Sequence, residues 1–472
     1  MIKFGTGGWR AIIADEFTRA NLTILAQGLA DMMKDDKAAE KGMIIGYDRR
    51  FLSKESAQWL AEVMAGNDIT CRVIDRDAPT PLIMHTVKQM DTAYGLAVTA
   101  SHNPALYNGV KLFTHGGRDA ELEVTQRLED YISRVDPDKI QIMPLEQALE
   151  AKKIIWINPT NQYIDAIIHA VNMNVIRERH LKIALDPMFG VSRTSLQTIL
   201  MTARCEVEVI HERRDTLFGG RLPSPNVNTL NALKQVVKEN HCDLGIATDG
   251  DADRLGIIDD KGEFLHPNQI LVLLYYYLRT IKGWKGPCVR NVATTHLLDR
   301  VAAHFGESCY EVPVGFKHIS SKMQETDAII GGESSGGLTV RGHIPGKDGI
   351  YAAALLVEMI AVTGKPLSEI YIDITRQFGE LFMVEYDYRF SDELKTDIEA
   401  LLRKQEQFPA FGSDIERVSY LDGCKIYLDN GGWLIARFSG TEPLLRIFCE
   451  MPAIEAAERA AVRLAQYLKL KD

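Results

Sequence analysis

Apolar runs, polar loops and amphipathic stretches recur three times along this chain in one plan. Residues 44–75, 182–212 and 287–313 each open on an apolar run of strand length and pass through a polar loop. Each then continues into an amphipathic stretch of helical length and closes on a β-rich run. That is the signature of a βαβ unit, which implies a parallel sheet with helices on its faces. After each unit a further strand runs straight into an unusual loop. Residues 93–99 lead into Ala-Ser-His-Asn-Pro, 243–248 into Asp-Gly-Asp-Ala-Asp-Arg, and 328–330 into Gly-Gly-Glu-Ser-Ser-Gly-Gly. Ligands of open α/β sheets gather beyond the carboxyl ends of strands, so three such loops suit one shared cleft. From about residue 373 the pattern changes to short strands at 382–388, 424–428, 433–438 and 445–450, then an amphipathic helix at 453–468. This predicts a smaller α+β domain.

Composition narrows the class. With 472 residues, 46% of them apolar and 25% charged, the chain has room for about three or four domains with sizeable cores. A net charge of -10 argues against non-specific nucleic-acid binding. The seven cysteines, at 71, 205, 242, 288, 309, 424 and 449, are odd in number and show no C-x-x-C spacing. They read as reduced, structural thiols of a cytoplasmic protein. The opening MIKFGTGGWR has no apolar core of a secretory signal, and the most apolar stretch, 270–278, is too short to span a bilayer. No membrane and no nucleic-acid partner is expected.

The loops carry the candidate chemistry. Ser101, followed by His102, Asn103 and Pro104, sits in a turn beyond a buried strand. It is a nucleophile, a phosphate carrier, or a turn serine bonding its own backbone. Lys111, between Val110 and Leu112, is a solvated strand lysine or a partly desolvated base with a lowered pKa. Asp249, Asp251 and Asp253 alternate, so an extended backbone would put three carboxylates on one side, where they repel unless a cation sits among them. The loop is a cation site or a solvated acidic turn; as a site, its hard oxygen ligands mean Mg²⁺ or Ca²⁺ rather than zinc. An EF-hand is excluded, because its sixth position would be Arg254 instead of glycine and its twelfth Asp260 instead of glutamate. Arg254 offers a fork for a phosphate at the same place. Glu333 and Ser335 alternate in a glycine-rich loop that is either a flexible turn or a holder of vicinal sugar hydroxyls, with Gly315-Phe-Lys317 and Lys347 nearby in sequence. Arg437, Ser439, Gly440, Thr441 and Arg446 read as a phosphate cradle that is not a P-loop.

These loops, in this order, resemble the α-D-phosphohexomutase superfamily over nearly the whole chain. The superfamily's T-A-S-H-N-P, D-G-D-[AG]-D-R, G-E-x-S-G and R-x-S-G-T-E-P motifs stand here at 99–104, 249–254, 332–336 and 437–443. Its opening F-G-T-x-G-x-R matches 4–10. The resemblance implies an α/β fold of three similar mixed-sheet domains and a smaller C-terminal α+β domain around a central cleft. The expected bounds are 1–155, 156–262, 263–372 and 373–472. It further implies Mg²⁺ on Asp249, Asp251, Asp253 and a phosphorylated Ser101, with Arg10 facing that phosphate. Lys111 would be the general acid/base, with His102 second. A hexose 1,6-bisphosphate would be intermediate and primer, sugar phosphates the small-molecule partners, and the chain a monomer or a dimer. Arg290-Asn-Val-Ala-Thr-Thr-His and Pro313-Val-Gly-Phe-Lys317 look most like phosphoglucomutases, although Phe316 and Val314 replace their Trp and Thr. Ser334 and Gly337 depart from the phosphoglucosamine mutase pattern. Phosphomannomutase and phosphoglucosamine mutase remain the alternatives. A serine phosphatase and a non-catalytic sugar-phosphate sensor are the rivals from outside the class.

Overall fold

The apolar runs pair much as the repeat predicts, but the first two parallel sets each gain an antiparallel neighbour where the chain turns back. The computed structural model describes residues 2–5, 7–390, 392–404, 407–438 and 444–470. The chain divides into two compact units, Met1–Ile270 with Ser335–Ser368, and Leu271–Ser334 with Glu369–Asp472.

In the first unit, one sheet runs Trp9–Ile12, Tyr107–Thr114, Tyr94–Val98, Met43–Tyr47, Cys71–Ile74, Ile154–Ile157. Met43–Tyr47 and Tyr94–Val98 are parallel and buried at every position, as strands covered by helices on both faces must be. The helices Arg19–Asp35 and Ser53–Gly66 supply Leu22, Leu25, Leu29, Leu60, Val63 and Met64 to the same core as Met43, Ile45 and Val73. Tyr107–Thr114 returns antiparallel to Tyr94–Val98. The second sheet repeats the plan in the order Phe264–Leu265, Leu255–Ile258, Leu244–Thr248, Lys182–Asp186, Glu206–Val209, with Leu255–Ile258 antiparallel to Leu244–Thr248. The reason is chain length: a connection of a few residues can join only antiparallel neighbours, whereas a parallel return needs a crossover of a dozen or so. The Ser101 loop and the triple-aspartate loop are the tips of these two hairpins.

A late segment completes the first unit. The helix Gly349–Thr363 packs on Leu244–Thr248 and Leu255–Ile258 and on the helices Met173–Arg179 and Arg193–Thr202. It is apolar nearly all round, as a helix buried on all sides must be. Its N-terminus is capped by Asp348, which accepts from the backbone N–H groups of Ile350 and Tyr351.

In the second unit, Cys288–Asn291 lies between Cys309–Val312 and Ile330–Gly332, parallel to both. The C-terminal sheet is wholly antiparallel, in the order Phe382–Arg389, Leu444–Met451, Trp433–Phe438, Cys424–Leu428, Ile415–Ser419. The helix Ile454–Tyr467 covers it with Ala457, Ala460, Ala461 and Leu464. Val292 and Ala293 share an apolar cluster with Trp433, Ile435 and Phe448. Beside it lies a buried ion cage. Lys425 Nζ donates to Glu311 Oε2 at 2.6 Å and to the Val292 carbonyl at 2.7 Å, and lies 4.2 Å over the Trp433 ring. Arg290 donates to the same Glu311 oxygen at 2.5 Å and grips Asp299 at 2.7 and 2.9 Å.

None of the seven cysteines forms a disulfide, and six are buried. Among the described residues no single helix is long and apolar enough to cross a membrane.

Candidate active site

The first unit brings the serine loop and the aspartate loop into contact. Ser101 lies in the left-handed region at φ 52°, and Asn103 N closes the turn on the Ala100 carbonyl at 3.0 Å. A serine there costs about 1–2 kcal/mol. Against that stand the hydrogen bonds of Arg50. Its guanidinium donates to the carbonyls of Ser101 (2.6 Å), Asn103 (2.7 Å), Pro104 (2.9 Å) and Tyr107 (3.0 Å). Each charge-assisted bond is worth about 1.5–3 kcal/mol, enough for the set to outweigh the strain. Ser101 Oγ donates to Asp249 Oδ2 at 2.8 Å and lies 3.3 Å from His102 Nδ1.

The three aspartates converge, but not by strand alternation. Residues 249–254 form a turn in which Ala252 is left-handed at φ 63° and donates to the Asp249 carbonyl. The turn, rather than an extended backbone, points the carboxylates at one another. One ligand oxygen from each lies within 4.8 Å of the others, and all three residues are buried. Asp251 Oδ2 accepts from Thr80 Oγ1 and from Lys111 Nζ, both at 2.6 Å. Asp253 Oδ2 accepts from Lys111 Nζ at 2.7 Å and pairs with Lys347 Nζ at 2.8 Å. The remaining oxygens, Asp251 Oδ1 and Asp253 Oδ1, are buried and meet no hydrogen-bond donor among the described residues. Buried carboxylate oxygens left this way fit a hard divalent cation, so the donor set suits Mg²⁺.

The electrostatics follow from crowding. Burial and the neighbouring carboxylates of Asp251 and Asp253 push Asp249 well above the usual carboxylate range. Burial works against the charge on Asp253 too, but Lys111, Lys347 and Arg254 outweigh it and hold Asp253 well below that range. Lys111 departs from the sequence expectation of a lowered pKa. Burial does pull it down, but Asp251 and Asp253 at hydrogen-bond distance win and raise it. His102 is pushed well below the ordinary histidine value by Arg254, burial and Arg10, which keeps its imidazole neutral. Arg10 donates to Asn103 Oδ1 at 2.7 Å, and Arg254 N to Asp249 Oδ1 at 3.0 Å. Arg10 Nε and Arg254 Nε are buried with no hydrogen-bond acceptor among the described residues, a fit for an anion.

In the same unit Ser335 is exposed and Lys347 reaches Asp253. In the second unit, Glu333 Oε1 accepts from Gly315 N and Asn291 Nδ2, both at 3.2 Å. Gly315 stands at φ 129°, a conformation that favours glycine, and opens the helix Phe316–Thr326 on which Lys317 is half-buried. Arg437 and Arg446 face each other across neighbouring strands. Two like charges so placed repel, and each has an acid: Arg437 Nε donates to Asp422 Oδ2 at 2.8 Å, and Arg446 Nε lies 3.4 Å from Asp387 Oδ1. Asp422 Oδ2 also accepts from Val314 N at 2.8 Å, which ties Arg437 to the segment leading into Gly315. Arg290 has its donors committed to Asp299 and Glu311. Ser439, Gly440 and Thr441 lie outside the described residues.

Sequence reading missed Thr80, Arg50, Asn291 and Asp422. Thr80 was the most findable, since a Pro-Thr-Pro run marks a helix start and Thr80 begins the helix Thr80–Gln89. Asp422 carried no signal.

Four domain families match this chain. They are the phosphoglucomutase/phosphomannomutase alpha/beta/alpha domain I over residues 1–139, domain II over 161–262, domain III over 266–378, and the C-terminal domain over 391–466. A phosphoglucomutase/phosphomannomutase of Thermococcus kodakarensis is 29% identical over 457 residues, covering 96% of this chain and 95% of the relative. A phosphoglucosamine/phosphogalactosamine mutase of Sulfurisphaera tokodaii is 27% identical, covering 95% and 94%. Among solved structures, a Thermus thermophilus protein provisionally described as a phosphomannomutase superposes with a TM-score of 0.86 at 28% identity, covering 99% of each chain.

Proposed function

The chain belongs to the phosphoglucomutase/phosphomannomutase family and is a phosphohexomutase; from that premise we propose that it interconverts hexose 1-phosphate and hexose 6-phosphate, with glucose as the preferred sugar. Ser101 carries the phosphate in this reading. The observation that supports it most directly is the contact of Ser101 Oγ with Asp249 at 2.8 Å, beside two carboxylate oxygens that meet no donor among the described residues. Asp249, Asp251, Asp253 and a phosphate oxygen on Ser101 would hold a Mg²⁺ ion, which would supply charge neutralisation at the phosphoryl group.

The rest is the work of the chain's own groups. The Oγ–P bond of phospho-Ser101 breaks as a P–O bond to a sugar hydroxyl forms, and Lys111 Nζ, held protonated by Asp251 and Asp253 rather than poised as a base, serves as the acid that protonates the departing Oγ. His102, 3.3 Å from Oγ and kept neutral by Arg254 and burial, takes the proton that the sugar hydroxyl loses. Arg10 and Arg254, whose Nε groups meet no acceptor among the described residues, offer them to the phosphate, with Lys347 adding charge. The product is a hexose 1,6-bisphosphate, which reorients and returns its other phosphate to Ser101. Glu333 and Ser335 hold ring hydroxyls, with Gly315 and Lys317 beside them. Arg437 and Arg446, with Ser439, Gly440 and Thr441, take the distal phosphate. Arg290 serves from within the ion cage, behind the sugar-facing strand ends.

Glucose preference rests on the residues around 290–296 and 313–317. An amino sugar is the second reading, favoured by the phosphoglucosamine/phosphogalactosamine mutase among the relatives. One assay panel of glucose, mannose and glucosamine 1-phosphates, with and without a hexose 1,6-bisphosphate primer, separates the two. In the same assay Ser101→Ala should lower turnover by at least about 1,000-fold with the fold intact. A variant turning over at the wild-type rate would remove Ser101 as the carrier.

A further inference from the structure

Arg50 follows the buried strand Met43–Tyr47 and is only 1% exposed, yet no substrate-binding role accounts for it. Its two terminal nitrogens make four hydrogen bonds, all to carbonyl oxygens of one loop: Ser101, Asn103, Pro104 and Tyr107. Its Nε lies 3.4 Å from Asp48 Oδ2, and its guanidinium lies 4.8 Å from the centre of the Phe218 ring. Asp48 extends the same grip. Its Oδ1 accepts from Arg50 N at 2.9 Å and Ser53 Oγ at 2.8 Å, and its Oδ2 from Thr99 Oγ1 at 2.6 Å. Thr99 Oγ1 in turn accepts from Ser101 N at 2.8 Å. The loop is thus held at the Ser101 amide by one chain of bonds and at its carbonyls by another.

We infer that Arg50, braced by Asp48, is the positioning residue of the Ser101 loop: by gathering four carbonyl oxygens behind the turn it keeps Ser101 left-handed with Oγ on Asp249. Arg10 and Arg254 have nitrogens left over for an anion, whereas every terminal arm of Arg50 is spent on backbone. A planar fork can do this and a lysine cannot, because an ammonium offers three donors from one point. The inference rests on the reading of Ser101 as phosphate carrier, and in-line transfer is the step most sensitive to the placement of Oγ.

The test uses the full-length chain and Arg50→Lys. Ser101 is loaded with a hexose 1,6-bisphosphate, and phosphate transfer to hexose 1-phosphate is followed in a single turnover. The expected result is a rate about 100-fold below wild type, with KM changed by less than about threefold. Amide exchange of residues 101–108 should speed at least about tenfold while Met43–Tyr47 and Tyr94–Val98 stay protected. A transfer rate within about threefold of wild type, or equal loss of protection across the whole sheet, would overturn the proposal. If Arg50→Lys does not fold, the shape-preserving Asp48→Asn is judged by the same two readouts. Should wild-type Ser101 never take up phosphate, the carrier reading fails, while the exchange pattern still decides the clamp.

Discussion

Gly250 stands between the two loops that make the site. A β-carbon there would meet the Ser101 carbonyl oxygen at 2.8 Å, closer than carbon and oxygen approach without something moving. Backbone, not a flexible tip, is what would have to move, so Gly250→Ala should separate the aspartate turn from the serine. We expect kcat to fall about 100-fold with stability lowered by only about 1 kcal/mol. An alanine enzyme at near wild-type kcat, measured alongside urea unfolding, would show that the approach has slack. At this scale the sequence was readable where residue type alone forces an interaction. Three aspartates at alternate positions repel one another wherever the chain buries them together, so the triad stood out although its backbone was read as extended and proved to be a turn. Arg50 was not found, because an arginine after a strand most often lies in solvent and only the folded loop supplies four carbonyls to it.

At the level of elements, the buried helix Gly349–Thr363 depends on a single carboxylate. Asp348 accepts from Ile350 N, Tyr351 N, the Tyr163 hydroxyl and His343 Nε2. Replacing it by alanine removes a cap worth about 1 kcal/mol and strands buried donors at about 1–3 kcal/mol, so Asp348→Ala should cost roughly 2–4 kcal/mol in urea unfolding. Asp348→Asn, which keeps one acceptor oxygen, should recover part of this; a loss under about 0.5 kcal/mol for alanine would sink the argument. Element bounds were legible to within a residue or two in places: the strand Tyr94–Val98 stands where 93–99 was read, and the helix Ile454–Tyr467 where 453–468 was. What the repeat alone did not supply was the antiparallel return at each hairpin. Strand direction depends on the length of the connection, which periodicity does not report.

Over the whole molecule, the cage around Lys425 links stability to pH. Burial, and then Arg290, draw the Lys425 ammonium down to about 7, with Glu311 and Asp299 pulling the other way. His296 and Tyr427 close the remaining sides. The unfolded chain, with a lysine near the ordinary value of about 10.4, holds the proton more tightly. Stability therefore gains as pH rises from about 7 towards about 10 and gains nothing more from this group outside that window. Denaturant unfolding at pH 7 and pH 9 should show this increment in the wild type and not in Lys425→Met; equal slopes would mean that the lysine does not titrate there. The four-part plan was visible from the recurring pattern. The two-unit division was not, because contacts between distant segments decide it: residues 335–368 join the first unit although 271–334 precede them and belong to the second. That interleaving constrains how the protein is born. A nascent chain released from the ribosome as far as residue 270 still lacks the helix that covers the Leu244–Thr248 sheet face. At about 5–20 residues per second the gap until that helix emerges lasts several seconds, an interval in which this apolar face is bare.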